Sequence, residues 1–242
     1  MSADLVLAHL YPDLLRTYGD RGNVLTLARR AEWRGFSVDV VGVTRGDPVP
    51  ETANLVLIGG GTDRIQEIIG EDLMGRRAEL EEIAARRAVL LGICGGYQFL
   101  GHRYVAVDGT SIEGLALLDV VTVAGSSRII GNVRAEAALG DRSFELFGFE
   151  NHAGRTSLGP GAGPLASVPR GQGNNGADRT EGAVQGTVVG TYLHGPVLPV
   201  NPAFADAILA LALAPRTGGD PLEDLDDSLE SEAHRAARQR RR

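Results

Sequence analysis

Residues 88–93 (AVLLGI) are apolar throughout and run directly into Cys94-Gly95-Gly96 and then YQFLG. A strand with no polar alternation is covered on both faces, which is the environment of a parallel sheet lying between helices. Similar runs occur at residues 5–10 and 54–58, the second ended by Gly59-Gly60-Gly61. Between them, Val24, Leu27, Ala28 and Ala31 repeat at helical spacing after Asn23, a residue suited to capping a helix, and Gly35 stops the pattern. Residues 36–43 alternate as a strand, and residues 75–87 read as another helix. Strands alternating with helices imply right-handed βαβ units. The expected fold is α/β, a three-layer sandwich with a mostly parallel central sheet.

The second half changes character. Residues 117–123, 131–136, 144–149, 181–185 and 188–192 read as short strands separated by Gly, Asn and Pro, expected as antiparallel additions to the same sheet. Residues 159–180 are rich in Gly, Pro and Asn and are expected to form an exposed excursion. Residues 202–213 read as a closing helix with Pro202 in its first turn. Beyond Pro215 the chain turns acidic and then basic, so residues 1–214 are expected as the functional domain and 215–242 as a charged tail, a mobile helix or a disordered arm.

Composition removes several classes of function. The 242 residues carry 24 basic against 31 acidic side chains, a net charge of −7, which argues against a general nucleic-acid binder. All the basic residues are arginine, so neither a Walker P-loop nor a lysine Schiff base is available. The single cysteine excludes internal disulfides and thiolate-rich zinc sites, and no metal site is expected. No apolar run is long enough to span a bilayer, and the N-terminal residues lack a basic signal-peptide region, so the cytoplasm is the expected location.

Cys94 therefore carries most of the chemical information. A lone intracellular cysteine is commonly a packed core residue. Here it stands between a buried strand and an expected helix, with Gly92, Gly95 and Gly96 permitting a sharp turn. That is the pattern of a nucleophile elbow, where a helix N-terminus favours thiolate and the following amides face a developing oxyanion. A thiol nucleophile needs a base. Of His9, His102, His152, His194 and His234, the favoured candidate is His194, at the end of the strand-like VVGTYLHG, and His152 in GFENHAGR competes with it.

GICGGYQFLG together with GTYLHGP resembles the class I glutamine amidotransferases, and CGGYQ resembles their cobyric-acid-synthase-like branch. YPDLLRTYGDRGN, SSRIIGN and GFENHAGRT extend the likeness to the small amidotransferase subunits of lipid II isoglutaminyl synthase, over roughly residues 4 to 212. The resemblance implies glutamine hydrolysis, with Cys94 attacking the side-chain amide and His194 protonating the departing ammonia. It assigns the oxyanion hole to Gly95 with Gly60 or Gly61. Arg128 is expected to grip the carboxylate of glutamine, and Gln98 either holds substrate or packs the elbow helix. No cofactor is expected in this chain. The resemblance places ATP and Mg²⁺, as expectations, on a Mur-ligase-like partner subunit that would use the ammonia to amidate D-glutamate of lipid II, near the inner face of the membrane.

One departure stands out. Many class I members have a carboxylate two residues after the histidine, but here Gly195-Pro196 follows and no acid lies nearby. The partner is the favoured source of a third catalytic group, with Glu150 and Asp119 as the alternatives in this chain. Two other functions compete: a stand-alone cysteine hydrolase of γ-glutamyl compounds, and a non-catalytic binding module.

Overall fold

In the computed structural model, residues 3–15, 19–61 and 63–239 are described. Residues 16–18 of the YPDLLRTYGDRGN segment and the last three arginines lie outside them, as does the side chain of His234. The first half runs β1 (Leu5–Leu10), α1 (Asp20–Glu32), β2 (Val38–Val43), β3 (Leu55–Ile58), α2 (Asp63–Gly75), α3 (Arg77–Ala85), β4 (Val89–Ile93) and α4 (Gly95–Leu100). The second half contains β5 (Arg103–Val105), β6 (Ser111–Glu113), the long β7 (Val120–Leu139) and β8 (Arg142–Leu158), then β9 (Ala166–Arg170), β10 (Thr180–Glu181), β11 (Ala183–Gln185) and β12 (Val188–Thr191). Helices α5 (Val197–Val200), α6 (Pro202–Thr217) and α7 (Ser228–Gln239) close the chain.

The central sheet has the order β11-β12-β4-β3-β1-β2. All its neighbours are parallel except the β11–β12 edge pair. Every residue of β1, β3, β4 and β12 is buried, as continuous apolar runs require. Helix α1 packs on β1, β2 and α6, and α6 reaches β4.

The remaining strands do not extend this sheet. They build a second one, β10-β9-β7-β5-β6 with β8 also paired to β7. The reason lies in the burial pattern, since residues 133–139 of β7 alternate buried and exposed. Strands with one wet face cannot be inserted into a sheet covered on both sides. The short strands expected at 131–136 and 144–149 are segments of one long β7–β8 ribbon, interrupted by a register shift between Ala124 and Ile129. Gly182, at φ 62°, splits the strand expected at 181–185 into β10 and β11, which join different sheets.

Three further expectations are revised. Helix α1 begins at Asp20 rather than after Asn23, because the Asn23 side chain is engaged elsewhere in the fold. The helix expected over 75–87 is α3, preceded by a separate α2. The excursion at 159–180 contains β9, with Leu165, Val168 and Asn174 buried. Past α6 the chain returns to α1: Arg30, only 3% exposed, donates to both Asp206 and Asp227, and Leu222 is buried. Among the described residues, no helix is long and apolar enough to cross a membrane.

The elbow helix lies so close to β3 that a β-carbon at Gly96 would overlap the Ile58 carbonyl oxygen. Overpacking of this kind costs about 1–3 kcal/mol. Gly96→Ala should therefore lower the melting temperature by at least about 3 °C. Gly70→Ala in α2, where a β-carbon meets nothing within 4 Å, should leave it unchanged or raise it slightly. Thermal unfolding of the two variants side by side checks both.

Candidate active site

Three neighbouring strands of the central sheet, β12, β4 and β3, end on the same edge. β12 leads to His194, β4 to Cys94, and β3 to Gly59-Gly60-Gly61. Parallel register therefore brings Cys94, His194 and the glycine loop to one edge, at the carboxyl ends where α/β sheets carry their sites.

Cys94 adopts φ 53°, ψ −104°, and is 6% exposed. Its N–H donates to the Thr191 carbonyl at 2.8 Å, its carbonyl accepts from the Gln98 N–H, and Gly96 N–H donates to the Gly59 carbonyl at 3.2 Å. The thiol is thus presented from a strained turn at the start of α4, pinned to both flanking strands.

His194 is held by a two-bond bridge to β8: its N–H donates to the Phe149 carbonyl at 2.9 Å and its carbonyl accepts from the Phe149 N–H at 3.2 Å. It is 3% exposed. Burial, followed by the charges of His152 and Arg128, pushes its pKa down to about 4, so the resting imidazole is neutral and able to take a proton. His152 lies on the buried face of β8, stacked on the Tyr192 ring at 3.7 Å and 7°. Its Nδ1–H donates to the Gly154 carbonyl at 2.8 Å, and burial lowers its pKa to about 4 as well.

Arg128 sits in the irregular stretch of β7 and is exposed. Its Nε and Nη2 donate to the side-chain and main-chain oxygens of Asn151, at 2.9 and 2.8 Å. Its charge adds to the burial that lowers the pKa of both His194 and His152. Gln98 is buried, and its amide nitrogen donates to the Tyr192 hydroxyl at 3.3 Å, from which hydroxyl bonds continue to Thr156 and Thr122.

In the glycine loop, the Gly60 N–H donates to Asp20 Oδ2 at 2.9 Å. The carboxyl group of Asp20 is buried, which raises its pKa to about 6. The other in-chain carboxylates have other partners. Glu150 accepts the N–H groups of Gln172 and Gly173, and Asp119 accepts from Gly161 and meets His102 Nε2 at 3.0 Å. His9 is buried in β1 and His102 is exposed.

The CobB/CobQ-like glutamine amidotransferase domain model matches residues 6–202. The chain belongs to that family. It is 37% identical over 233 residues to the lipid II isoglutaminyl synthase (glutamine-hydrolyzing) subunit GatD of Staphylococcus aureus (strain N315), covering 95% of this chain and 93% of that one. The corresponding subunit of Streptococcus pneumoniae (strain ATCC BAA-255 / R6) is 38% identical over 218 residues, 89% of this chain and 83% of the relative. The cobyric acid synthase of Brucella abortus (strain S19) matches 66% of the chain at 37% identity, but only 32% of that longer protein is covered. Among solved structures, PurLQS from Thermotoga maritima superposes with a TM-score of 0.61 at 14% identity, covering 88% of this chain and 99% of that one. A crystal structure of a glutamine amidotransferase gives 0.57 at 20% identity, covering 85% and 98%. At such identities these two support the shared amidotransferase fold and nothing finer.

Within this family member, sequence reasoning passed over Asp20, Tyr192 and Glu181. Glu181 is fully buried and accepts the Tyr192 N–H and the Thr191 hydroxyl, and burial raises its pKa to about 7. Asp20 and Tyr192 lie inside the quoted segments YGDRGN and GTYLHG, and Glu181 in a stretch read only as a strand, while Gly60 and Gln98, the partners of Asp20 and Tyr192, lie far away in the chain.

The histidine pKa shift has a consequence for stability. A histidine with a folded pKa near 4 and an unfolded pKa near 6.5 lets the unfolded chain bind the proton first, so stability falls as pH drops through that window. His152→Phe keeps the stacking and removes the titration. At pH 7 the variant should be less stable by about 1 kcal/mol, for the lost hydrogen bond. Between pH 6.5 and 4 the wild type should lose up to about 3 kcal/mol relative to the variant. Urea unfolding at pH 7, 5.5 and 4.5 measures the crossing.

Proposed function

We propose that this chain hydrolyses L-glutamine to glutamate and ammonia as the small subunit of a lipid II isoglutaminyl synthase. The ammonia passes to a Mur-ligase-like subunit, which uses ATP and Mg²⁺ to activate the D-glutamate α-carboxylate of lipid II and forms D-isoglutamine. The observation that carries this reading is the strained Cys94 turn with His194 and the glycine loop on the two flanking strand ends. Similarity to both GatD subunits over most of the chain supports the same partner and substrate. The work is done in the cytoplasm, beside the membrane that carries lipid II.

The Cys94 thiolate attacks the side-chain carbonyl carbon of glutamine, forming a C–S bond and a tetrahedral oxyanion. The N–H groups of Gly95 and the glycine loop stabilise that oxygen, each worth about 3 kcal/mol in comparable sites. Since the Gly60 proton is given to Asp20, Gly61 is the loop donor in this scheme. His194 passes the thiol proton to the amide nitrogen, the C–N bond breaks and ammonia leaves a glutamyl thioester. Water, deprotonated by His194, then attacks the thioester, and glutamate departs as the thiol is restored. Arg128 holds the α-carboxylate, and Gln98 shapes the pocket wall through Tyr192. With Glu150 and Asp119 bonded elsewhere, the partner supplies the acid that orients His194.

Coexpression with Mur-ligase-like proteins of the same genome, followed by a glutaminase assay and analysis of lipid II, tests this reading. Ammonia release should rise on complex formation and amidated lipid II should appear. Full glutaminase activity without any partner, and no amidation with one, would favour a stand-alone hydrolase. Cys94→Ala and Cys94→Ser should each reduce ammonia release by at least about 10³-fold with the melting temperature unchanged.

Arg128→Ala should raise the KM for glutamine about ten-fold, the effect of losing one charge-assisted contact of about 1.5 kcal/mol, while kcat changes little. Initial rates across a glutamine series separate the two. An unchanged KM would remove Arg128 from substrate capture.

A further inference from the structure

The GDRGN segment, residues 19–23 at the start of α1, takes no direct part in the chemistry above, yet it is tied to both loops that do. Asp20 is 1% exposed and Asn23 is fully buried. Asp20 Oδ2 accepts the Gly60 N–H at 2.9 Å, and Asp20 Oδ1 accepts from Asn23 Nδ2 at 3.2 Å. Asn23 Oδ1 in turn accepts the Leu198 N–H at 2.8 Å, four residues beyond His194. The chain of contacts is continuous from the glycine loop to the histidine loop.

Two further contacts make this more than a helix cap. The Gly59 carbonyl and the Gly60 N–H belong to one planar peptide unit. The carbonyl end accepts from Gly96 of the elbow at 3.2 Å, and the N–H end donates to Asp20. Held at both poles, that unit cannot rotate, and this limits how the next amide, at Gly61, is presented. On the other side, a β-carbon at Gly22 would stand 2.6 Å from Pro196 Cγ, so α1 lies directly against the turn that follows His194.

We propose that Asp20 and Asn23 are positioning residues for the amidotransferase reaction, forming a brace that holds the oxyanion loop and the histidine loop in fixed relation. This rests on the glutamine-hydrolysing role proposed above. Neither residue touches substrate in this scheme. Their effect is exerted through the Gly61 amide and through the backbone behind His194.

The hydrogen-bond polarity supplies a specific test. In Asp20→Asn, an amide that keeps its oxygen toward Gly60 turns its NH₂ toward the NH₂ of Asn23, and Asn23 cannot flip without losing Leu198. In Asn23→Asp, two carboxylates face one another. In the reciprocal double variant, Asn at 20 donates to Asp at 23, and the Gly60 and Leu198 amides again find oxygen acceptors, so all three bonds return. An effect cancelled by the swap is the signature of a coupled pair.

The full-length chain with its partner is assayed as wild type, two single variants and the double variant. Each single variant should lower kcat at least ten-fold with KM within two-fold, and the swap should recover at least a third of wild-type kcat. Hydrogen exchange of a peptide covering residues 59–61 gives a readout independent of glutamine. Exchange there should speed up at least ten-fold in each single variant and return to normal in the swap, with exchange in the middle of α1 unchanged. Normal kcat and normal exchange in folded single variants would overturn the proposal, as would a double variant no better than its parents. A wild type that shows no turnover but gives the expected exchange pattern would overturn the glutaminase reading and leave the brace standing.

Discussion

The backbone at Cys94 is the constraint on which the site depends. A residue with a β-carbon at φ 53°, ψ −104° lies outside the regions open to ordinary side chains and costs about 1–3 kcal/mol to hold there. What over-determines it is the parallel sheet. The Cys94 N–H goes to Thr191 on β12, and two residues later the Gly96 N–H goes to Gly59 beyond β3. The turn is therefore stapled to the same two strands that deliver His194 and the glycine loop. Any shift of strand register that moved one of these groups would also release the strain that fixes the direction of the thiol.

Around this turn the structure has a buried polar layer rather than a simple apolar floor. His152 stacks on Tyr192, whose hydroxyl continues to Gln98, Thr156 and Thr122, while its amide is anchored by Glu181. Buried polar groups cost free energy unless partnered, and a connected network meets that demand while fixing side-chain directions. Burial has a second effect here, because it holds His152 and His194 neutral near pH 7. A neutral imidazole is the form a general base requires, so the packing that orients His194 also sets its charge.

The fold was legible wherever hydrophobic pattern decides structure. Continuous apolar runs marked β1, β3 and β4, and helical spacing marked α1, although its first turn lies earlier than Asn23 suggested. The second sheet was not legible as a separate layer. Alternation along residues 131–136 identifies a strand with one wet face but does not say which sheet it joins, and the β7–β8 ribbon is longer than its Gly-broken segments suggest. Asn23 shows a different gap. Its side chain has the chemistry of a cap, but a distant amide at Leu198 uses it instead.

For the site, Cys94, His194 and the glycine run could be picked out from sequence because each sits where a strand-like run stops and small residues permit a turn. Local chemistry is written locally, so residue type and strand order singled out Cys94 and His194 as candidates, while the part expected of the glycine run came from the family resemblance. What only the tertiary structure decided is how these groups are held. Asp20 meets Gly60 across 40 positions and Asn23 meets Leu198 across 175, while His194 is bridged to Phe149 of another sheet. Such bonds depend on distances between segments that no local pattern encodes. The amino-acid sequence determined which residues could do the chemistry, and the folded sheet determined their geometry, their burial and their charge, because only packing brings remote backbone amides to a buried carboxylate or removes water from an imidazole.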